Sequence, residues 1–132
     1  MTDYFEMNAS AIADAVRSGA TTARAVTESA LSRIDALDGA INAFTTVTAE
    51  SALAEADAVD ALITKGADPG PLAGVPFAVK NLFDIKGVVT IAGSKIHQDY
   101  PPAESDAISV QKLKAAGAVC VGALNMDEYA YG

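Results

Sequence analysis

The first half of the chain repeats apolar residues at the spacing of amphipathic helices. Residues 9–18 predict one helix, which ends at Gly19, where a left-handed residue is favoured. Thr21 or Thr22 is suited to cap a second helix that ends at Gly39. The apolar residues of the second helix share one face: Val26, Ala30, Ile34 and Leu37. We therefore expect two antiparallel helices joined by a short turn.

A short strand and a third helix follow the second helix. Residues 41–47, "INAFTTV", predict the strand. Thr48 is suited to cap a helix that ends at Gly66. Its apolar residues again line up on one face: Leu53, Ala56, Val59 and Ile63. Residues 1–66 are thus predicted to form an N-terminal helical segment, and "GADPGPLAG" predicts the loop that leaves it.

The pattern changes at Val75, where helical spacing gives way to continuous apolar runs. The run "VPFAV" does not alternate with polar residues, so it predicts a strand that is covered on both faces. Pro76 places this stretch near the start of a strand or at a sheet edge. A loop rich in Gly, Ser and Pro then spans residues 87–102.

A helix and a second buried strand complete this half of the chain. Ser105 or Asp106 is suited to cap the helix "AISVQKLKAA", which Gly117 closes. Residues 118–124, "AVCVGAL", predict the second strand. A strand, a helix and a strand with a crossover of this length form a right-handed parallel unit. We therefore assign residues 67–132 to the start of an α/β core whose sheet is incomplete.

The composition is that of a globular protein and narrows the classes of partner. Apolar residues make up 51% and charged residues 20% of the 132 residues. The 17 acidic and 9 basic residues give a net charge of −8, and the basic residues form no stripe that would neutralise phosphates. The sequence "MTDYFEMNAS" carries acids where a signal peptide is positive, and the apolar stretches are short. We expect a cytoplasmic, soluble protein that binds neither nucleic acid nor a membrane.

The sequence has one cysteine and one histidine, which limits the sites that these residues can build. Cys120 lies among small apolar residues, and one thiol provides neither a disulfide framework nor a thiolate metal site. A nucleophilic role for Cys120 requires a histidine partner, whereas His97 lies in a polar loop. We predict that Cys120 is a buried packing residue.

A lysine follows directly behind the first apolar run of the second half. A lysine at a strand end often extends its ammonium group into water, which is one interpretation of Lys80. In the second interpretation, Lys80 lies where open α/β sheets gather catalytic groups, at the C-terminal ends of strands. Four apolar residues are then predicted to screen it from water: Phe77, Val79, Leu82 and Phe83. Such a screen favours the neutral amine, which makes Lys80 a candidate general base for activating a hydroxyl nucleophile.

The other lysines near these strand ends have simpler interpretations. Lys86 has no comparable apolar screen and is predicted to be a solvated loop charge. Asp84 is placed to pair with Lys86 or with Lys80, and a close pair with Lys80 would favour the charged amine. Lys112 and Lys114 are predicted to lie on the surface of their helix.

The C-terminal sequence "MDEYAYG" combines acidic and aromatic residues. Tyr129 and Tyr131 are predicted to fill the core at the start of a helix. Adjacent residues point in different directions, so Asp127 and Glu128 do not form a paired acid/base device. We predict instead that these two carboxylates stabilise a helix N-terminus.

Three blocks of the sequence resemble the amidase signature family of serine amidohydrolases. They are "GPLAGVPFAVKNLFDIKG", "TIAGSK" and "SDAISVQKLKAAGAVCVGALNMDEYAYG". The helices of residues 8–65 are also similar to the N-terminal segment of that family. The resemblance is closest to the branch of 1-carboxybiuret amidohydrolases of the cyanuric-acid pathway. It implies an α/β fold in which N-terminal helices precede the first strands of a mixed, largely parallel sheet covered by helices.

The resemblance also implies a role for Lys80. The family uses a triad of serine, cis-serine and lysine, and Lys80 aligns with its lysine. The neutral amine takes a proton, through the bridging serine, from the serine that attacks an amide carbonyl. Tyr129, Ala130 and Tyr131 then contribute to the wall of the substrate pocket. The resemblance implies no metal and no organic cofactor.

One part of the family pattern is missing from this sequence. Both family serines lie in a Gly/Ser-rich block of the kind "GGSSGGSAA", and no such block occurs in the 132 residues. Ser94, Ser105 and Ser109 do not stand in that context. We therefore expect the chain to be the opening portion of an amidase, truncated before its serines and inactive alone.

Three functions remain open on these grounds. The first is hydrolysis of a small carboxylated urea-type amide with release of ammonia, by an oligomer that includes a small helical partner subunit. The second is the glutaminase or amidotransferase activity of the A subunit of a glutamyl-tRNA amidotransferase. The third is a non-catalytic module whose N-terminal helices bury an apolar stripe against a partner.

Overall fold

The first N-terminal helix forms where its spacing predicts. A computed structural model describes residues 3–132, so Met1 and Thr2 of the predicted helical segment lie outside the described part. A short 3-10 turn at Tyr4–Glu6 precedes helix α1, Ala9–Arg17. Gly19 follows α1 with a φ of 76°, which confirms the predicted left-handed position at the helix end.

Helix α2, Ala23–Ile41, begins where the sequence predicts and ends later. The Thr22 side chain accepts a hydrogen bond from the N–H of Ala25 and caps the helix. The prediction that α2 ends at Gly39 is wrong, because the terminating contacts lie beyond it. Asn42 takes the left-handed conformation with a φ of 55°, and the Asp38 carboxylate accepts a hydrogen bond of 2.7 Å from the N–H of Ala43.

Three strands form one mixed sheet in the described part of the chain. Strand β1, Phe44–Val47, is followed directly by helix α3, Ala49–Thr64, and strand β2 spans Pro76–Lys80. Strand β3, Val119–Leu124, lies between the other two, antiparallel to β1 and parallel to β2. The predicted parallel pairing of the two apolar runs is therefore confirmed. The first strand is shorter than the predicted 41–47, because α2 extends to Ile41.

The pairing of β1 with β3 is irregular at one residue. Phe44 lies opposite Leu124 and Thr46 opposite Ala123, so Thr45 is an extra residue on its strand. This β-bulge lets the Thr45 hydroxyl donate a hydrogen bond of 3.2 Å to the carbonyl of Ala123. The bulge therefore directs the Thr45 side chain towards the middle of the sheet.

The two faces of the sheet are covered unequally. On one face, the larger apolar core combines α1, α2 and α3 with residues from the strands, including Val119 and Val121 of β3. On the other face, Cys120 and Ala123 pack with Ile85 in a smaller cluster. Because this second layer is thin, β2 is half-buried rather than fully covered on both faces as its apolar run predicts.

Cys120 is buried, as predicted, and burial raises the pKa of its thiol. Its N–H donates a hydrogen bond of 2.9 Å to the Glu55 carboxylate on α3. The thiol itself lies in the smaller cluster. These contacts give Cys120 the packing role that the sequence indicates.

Helix α4, Ile108–Ala115, is held by an ion-pair network instead of a side-chain cap. Ala107 occupies the N-cap position, so the predicted caps at Ser105 or Asp106 are wrong. The Asp106 carboxylate instead accepts hydrogen bonds from the N–H of Lys86, at 2.8 Å, and from Lys114, at 2.9 Å. Lys114 also pairs with Glu55 at 2.7 Å and is half-buried, contrary to its predicted surface position.

The remaining regular elements are short. Two 3-10 turns lie at Lys95–His97 and Glu128–Ala130, in the segments that follow β2 and β3. No helix within residues 3–132 is long and apolar enough to cross a membrane.

Candidate functional site

Lys80 lies at the edge of the sheet where the two parallel strands end. It is the last residue of β2 and is paired in register with Leu124, the last residue of β3. Catalytic and ligand groups collect at this edge in open α/β sheets. The position that the sequence predicts for Lys80 is therefore present in the structure.

The predicted apolar screen around Lys80 is not formed by these residues. Lys80 is exposed, and the side chains of Leu82 and Phe83 are 44% and 41% exposed. The cause is a tight turn in which the carbonyl of Lys80 accepts a hydrogen bond of 3.0 Å from the N–H of Phe83. The residue that this turn buries is Asn81, which is 2% exposed.

Asn81 joins three parts of the site. Its backbone N–H donates to the carbonyl of Leu124 on β3, at 2.9 Å. Its side-chain Nδ2 donates to Thr45 Oγ1 on β1, at 2.7 Å, and its Oδ1 accepts from the N–H of Ile91, at 2.9 Å. Its carbonyl accepts from the N–H of Ala92, at 2.9 Å. Asn81 therefore fixes the backbone next to Lys80 relative to both neighbouring strands.

Sequence reasoning misses Asn81. One signal was available, since a polar side chain directly behind a buried strand needs hydrogen-bond partners if it stays inside. The partners themselves lie far along the chain, with Thr45 36 residues away, so the sequence does not identify them.

The two charged neighbours of Lys80 do not pair with it. Asp84 accepts a hydrogen bond of 2.5 Å from the hydroxyl of Thr90. Within residues 3–132, Asp84 forms an ion pair with neither Lys80 nor Lys86. Lys86 is exposed, as predicted. Among the described residues, Asp84 is therefore not an ion-pair partner of Lys80.

The segment after β3 lies at the surface, and the prediction that its tyrosines fill the core is wrong. Tyr129 is 50% exposed and Tyr131 is 94% exposed. Asp127 makes no capping hydrogen bond, and Glu128 accepts one of 2.7 Å from the hydroxyl of Ser94. The two carboxylates therefore do not stabilise a helix N-terminus as predicted.

This segment packs against the loop that follows β2. The N–H of Tyr129 donates a hydrogen bond of 2.8 Å to the carbonyl of Ala92. Gly93 comes so close that a Cβ built on it would lie 2.7 Å from the carbonyl oxygens of both Met126 and Asp127. Since Ala92 is also bonded to Asn81, a continuous hydrogen-bonded path connects the neighbour of Lys80 with Tyr129.

The site brings an exposed amine and an exposed aromatic segment to one edge of the sheet. Ser94 is buried and its hydroxyl donates to Glu128, so that hydroxyl is held away from a nucleophilic role. Among residues 3–132, no three His, Cys, Asp or Glu side chains are grouped so that they could hold a metal ion.

Comparison with known proteins identifies the family. The amidase family profile matches residues 25–132, which is most of the chain. The chain belongs to the amidase family. Its relatives within the family include AtzE, a 1-carboxybiuret hydrolase subunit of Pseudomonas sp. (strain ADP), which is 60% identical over 121 residues. The A subunit of the glutamyl-tRNA(Gln) amidotransferase of Streptomyces coelicolor is 46% identical over 132 residues.

Solved amidase structures have the same fold. One of them is an inhibitor-bound vestigial protein complex, described as revealing the evolutionary origins of an s-triazine catabolic enzyme. It matches 96% of this chain with a TM-score of 0.93 and 59% identity. The peptide amidase of Stenotrophomonas maltophilia matches 97% of it with a TM-score of 0.88 and 31% identity. The α/β class, with helices before a small mixed sheet, is therefore confirmed.

The chain spans about a quarter of the length of these relatives. The alignment with the Pseudomonas protein includes 92% of this chain and 26% of that protein. The chain covers 28% of the s-triazine enzyme chain and 26% of the peptide amidase. The described residues thus correspond to one portion of the amidase fold.

Proposed function

We propose that this chain is the N-terminal part of an amidohydrolase that cleaves a C–N bond of a small carboxylated urea-type amide such as 1-carboxybiuret. The observation that carries the proposal is the 60% identity with a 1-carboxybiuret hydrolase subunit over 92% of the chain. The placement of Lys80 at the edge where β2 and β3 end supports it. Tyr129, Ala130 and Tyr131 form part of the substrate-binding wall beside that edge.

In the proposed reaction Lys80 acts as the general base. Its neutral amine accepts a proton, through a bridging serine, from the serine that attacks the amide carbonyl. That proton then passes to the leaving nitrogen, so that ammonia departs and an acyl-enzyme remains. Water then hydrolyses the ester of the acyl-enzyme by the reverse proton path. This step regenerates both serines and releases the acid product.

Two parts of this reaction come from outside the 132 residues. The serines belong to a Gly/Ser-rich block that the sequence does not contain, so the chain alone does not hydrolyse the amide. The proposed role of Lys80 also requires an apolar cover that these residues do not supply, because Lys80, Leu82 and Phe83 are exposed here. The related Pseudomonas protein is named as a subunit, which supports an assembly with a partner subunit.

A chimera tests the role of Lys80. In this chimera, residues 1–132 replace the matching quarter of the Pseudomonas AtzE protein. The chimera is expressed together with the other subunits of that enzyme, and ammonia release from 1-carboxybiuret is measured. Loss of a general base lowers kcat by about 10²- to 10⁴-fold, and we expect this for Lys80→Ala. Lys86→Ala is the matched control, since Lys86 is another exposed lysine at this end of the sheet. We expect the kcat of this variant to stay within about threefold of the parent chimera, because a solvated charge takes no part in proton transfer.

Equal kcat values for the Lys80→Ala and Lys86→Ala chimeras would contradict the proposal. A Lys80→Ala chimera with nearly the kcat of the parent would show that Lys80 is not the base. An unsubstituted chimera that folds and assembles but releases no ammonia would refute the proposed reaction for this chain.

A second function is favoured by a separate observation. The alignment with the Streptomyces amidotransferase includes 100% of the chain at 46% identity. On this alternative the parent protein takes ammonia from glutamine for transfer to a misacylated tRNA. Hydrolysis of glutamine by the parent protein, with no activity on 1-carboxybiuret, would select it.

A further inference from the structure

Two side-chain hydrogen bonds tie the segment after β3 to the loop after β2. His97 Nε2 and the Tyr129 hydroxyl share a hydrogen bond of 2.7 Å. The Ser94 hydroxyl donates to Glu128 at 2.7 Å. Neither bond is needed to hold the sheet together, because both lie beyond the last residues of the strands. Their effect is confined to the relative placement of the two loops.

The segment that these bonds hold is strained. Tyr129 and Ala130 have φ values of 54° and 58°, in the left-handed region that L-residues with side chains avoid. A residue with a side chain keeps this conformation only where surrounding contacts impose it. Backbone bonds within the turn run from the N–H of Ala130 to the carbonyl of Asp127 and from the N–H of Tyr131 to the carbonyl of Glu128. The contacts that reach the turn from the opposite loop include the bond of His97 to the Tyr129 hydroxyl and the backbone bond from Tyr129 to Ala92.

The His97 ring is itself held from two sides. The ring of Tyr100 packs edge-on against it with centroids 4.5 Å apart, and the Tyr129 ring does so at 5.6 Å. Glu128, which precedes Tyr129 in the chain, is bonded to Ser94. The orientation of the imidazole is therefore fixed, and Nε2 is directed at the Tyr129 hydroxyl.

We propose that His97 is a positioning residue, which holds the Tyr129 hydroxyl and thereby keeps the left-handed turn at Tyr129 and Ala130 in the shape that receives the substrate. The proposal rests on the proposed function, in which this turn is part of the substrate-binding wall. His97 acts through Tyr129 and does not take part in proton transfer. Its loss therefore weakens substrate binding and leaves the chemical step almost unchanged.

The test compares two tyrosine substitutions in the chimera described above. Tyr129→Phe removes the hydroxyl that His97 binds, and Tyr100→Phe removes a hydroxyl on the other side of the same ring while keeping the aromatic contact. We expect Tyr129→Phe and His97→Ala to raise KM about tenfold with kcat within about threefold, which corresponds to loss of one hydrogen bond. Tyr100→Phe leaves both constants unchanged. His97→Gln, which keeps a side-chain N–H, recovers most of the loss.

A second measurement examines the turn independently of activity. Amide hydrogen exchange of Ala130 is measured in the chimera, and we expect it to accelerate about tenfold in Tyr129→Phe and in His97→Ala because the turn opens more often. Unchanged exchange in both variants would overturn the proposal, whether or not the enzyme is active. Equal losses of kcat and kcat/KM, or equal effects of Tyr100→Phe and Tyr129→Phe, would also overturn it. A parent chimera without activity refutes the proposed function and the substrate-binding role together, while exchange still decides whether His97 holds the turn.

Discussion

Substitution of Asn81 by alanine tests whether a buried amide holds the backbone next to Lys80. Asn81→Ala removes the bond from Nδ2 to Thr45 Oγ1 and the bond from the N–H of Ile91 to Oδ1. The backbone bonds of residue 81 to Leu124 and Ala92 remain. The substitution therefore isolates the contribution of the side chain.

The expected loss follows from what each partner is left with. The N–H of Ile91 loses its acceptor in a partly buried position, which costs about 1–3 kcal/mol. The Thr45 hydroxyl still donates to the carbonyl of Ala123, so its loss is nearer to about 1 kcal/mol. With the small cavity left by the amide, we expect Asn81→Ala to lower the free energy of unfolding by about 2–4 kcal/mol.

Asn125 provides a matched control because it is an asparagine with two side-chain hydrogen bonds at the surface. Its Nδ2 donates to the carbonyl of Asn42 and its Oδ1 accepts from the N–H of Met126. Water replaces both bonds, so Asn125→Ala costs less than about 1 kcal/mol. Urea unfolding of the 132-residue chain, followed by circular dichroism, measures both variants.

Two results would refute the reasoning about Asn81. One is an equal cost for Asn81→Ala and Asn125→Ala, which would mean that burial adds nothing to the amide bonds. The other is the absence of coupling between Asn81→Ala and Thr45→Val in a double-mutant cycle, where we expect about 1 kcal/mol for a direct bond.

Four further substitutions test three separate features. The Thr27 hydroxyl is buried without a hydrogen-bond partner among residues 3–132, so Thr27→Val raises the free energy of unfolding by about 1 kcal/mol in urea titration. Burial acts to raise the pKa of Asp106, but the bonds from Lys86 and Lys114 lower it overall, below the usual 3.8 of an aspartate. The ionised Asp106 carboxylate therefore stabilises the fold fully above pH 3.8. This stabilisation is lost as the pH falls through the lower pKa that Asp106 has in the folded protein. Unfolding midpoints of Asp106→Asn across the acid range therefore approach those of the parent as pH falls. Gly93 and Gly87 both have positive φ, but of these two only Gly93 has atoms within 4 Å of an added Cβ. We therefore expect Gly87→Ala to lower the free energy of unfolding by about 1 kcal/mol and Gly93→Ala to lower it by at least about 3 kcal/mol. Thermal unfolding measures both variants.

Local spacing was sufficient to predict most of the fold. The apolar repeat of α1, the threonine cap of α2 and the two apolar runs that become β2 and β3 depend on residues close together in the sequence. The end of α2 was predicted wrongly because the contacts that end the helix involve residues after Gly39. Asn42 takes the left-handed conformation, and the N–H of Ala43 donates to the Asp38 carboxylate. The capped start of α4 failed for a similar reason, since Asp106 is engaged by Lys114 and the backbone of Lys86.

The site was harder to predict because its contacts join distant residues. The sequence places Lys80 at the correct strand end but does not indicate that the next turn buries Asn81 and exposes Leu82 and Phe83. His97 and Tyr129 are 32 residues apart, and neither lies in a periodic segment. Such pairs become visible only when the strands have brought their loops together.

The bulge at Thr45 makes strand β1 more sensitive to its length than to its residue types. Deletion of Thr45 would restore an unbroken ladder with β3 and would rotate the residues before it to the opposite face of the sheet. A library that varies this strand should therefore keep the number of residues between Asn42 and Thr48 constant. Insertions belong instead in the exposed tip at Gly66, where the backbone has no partner strand to follow.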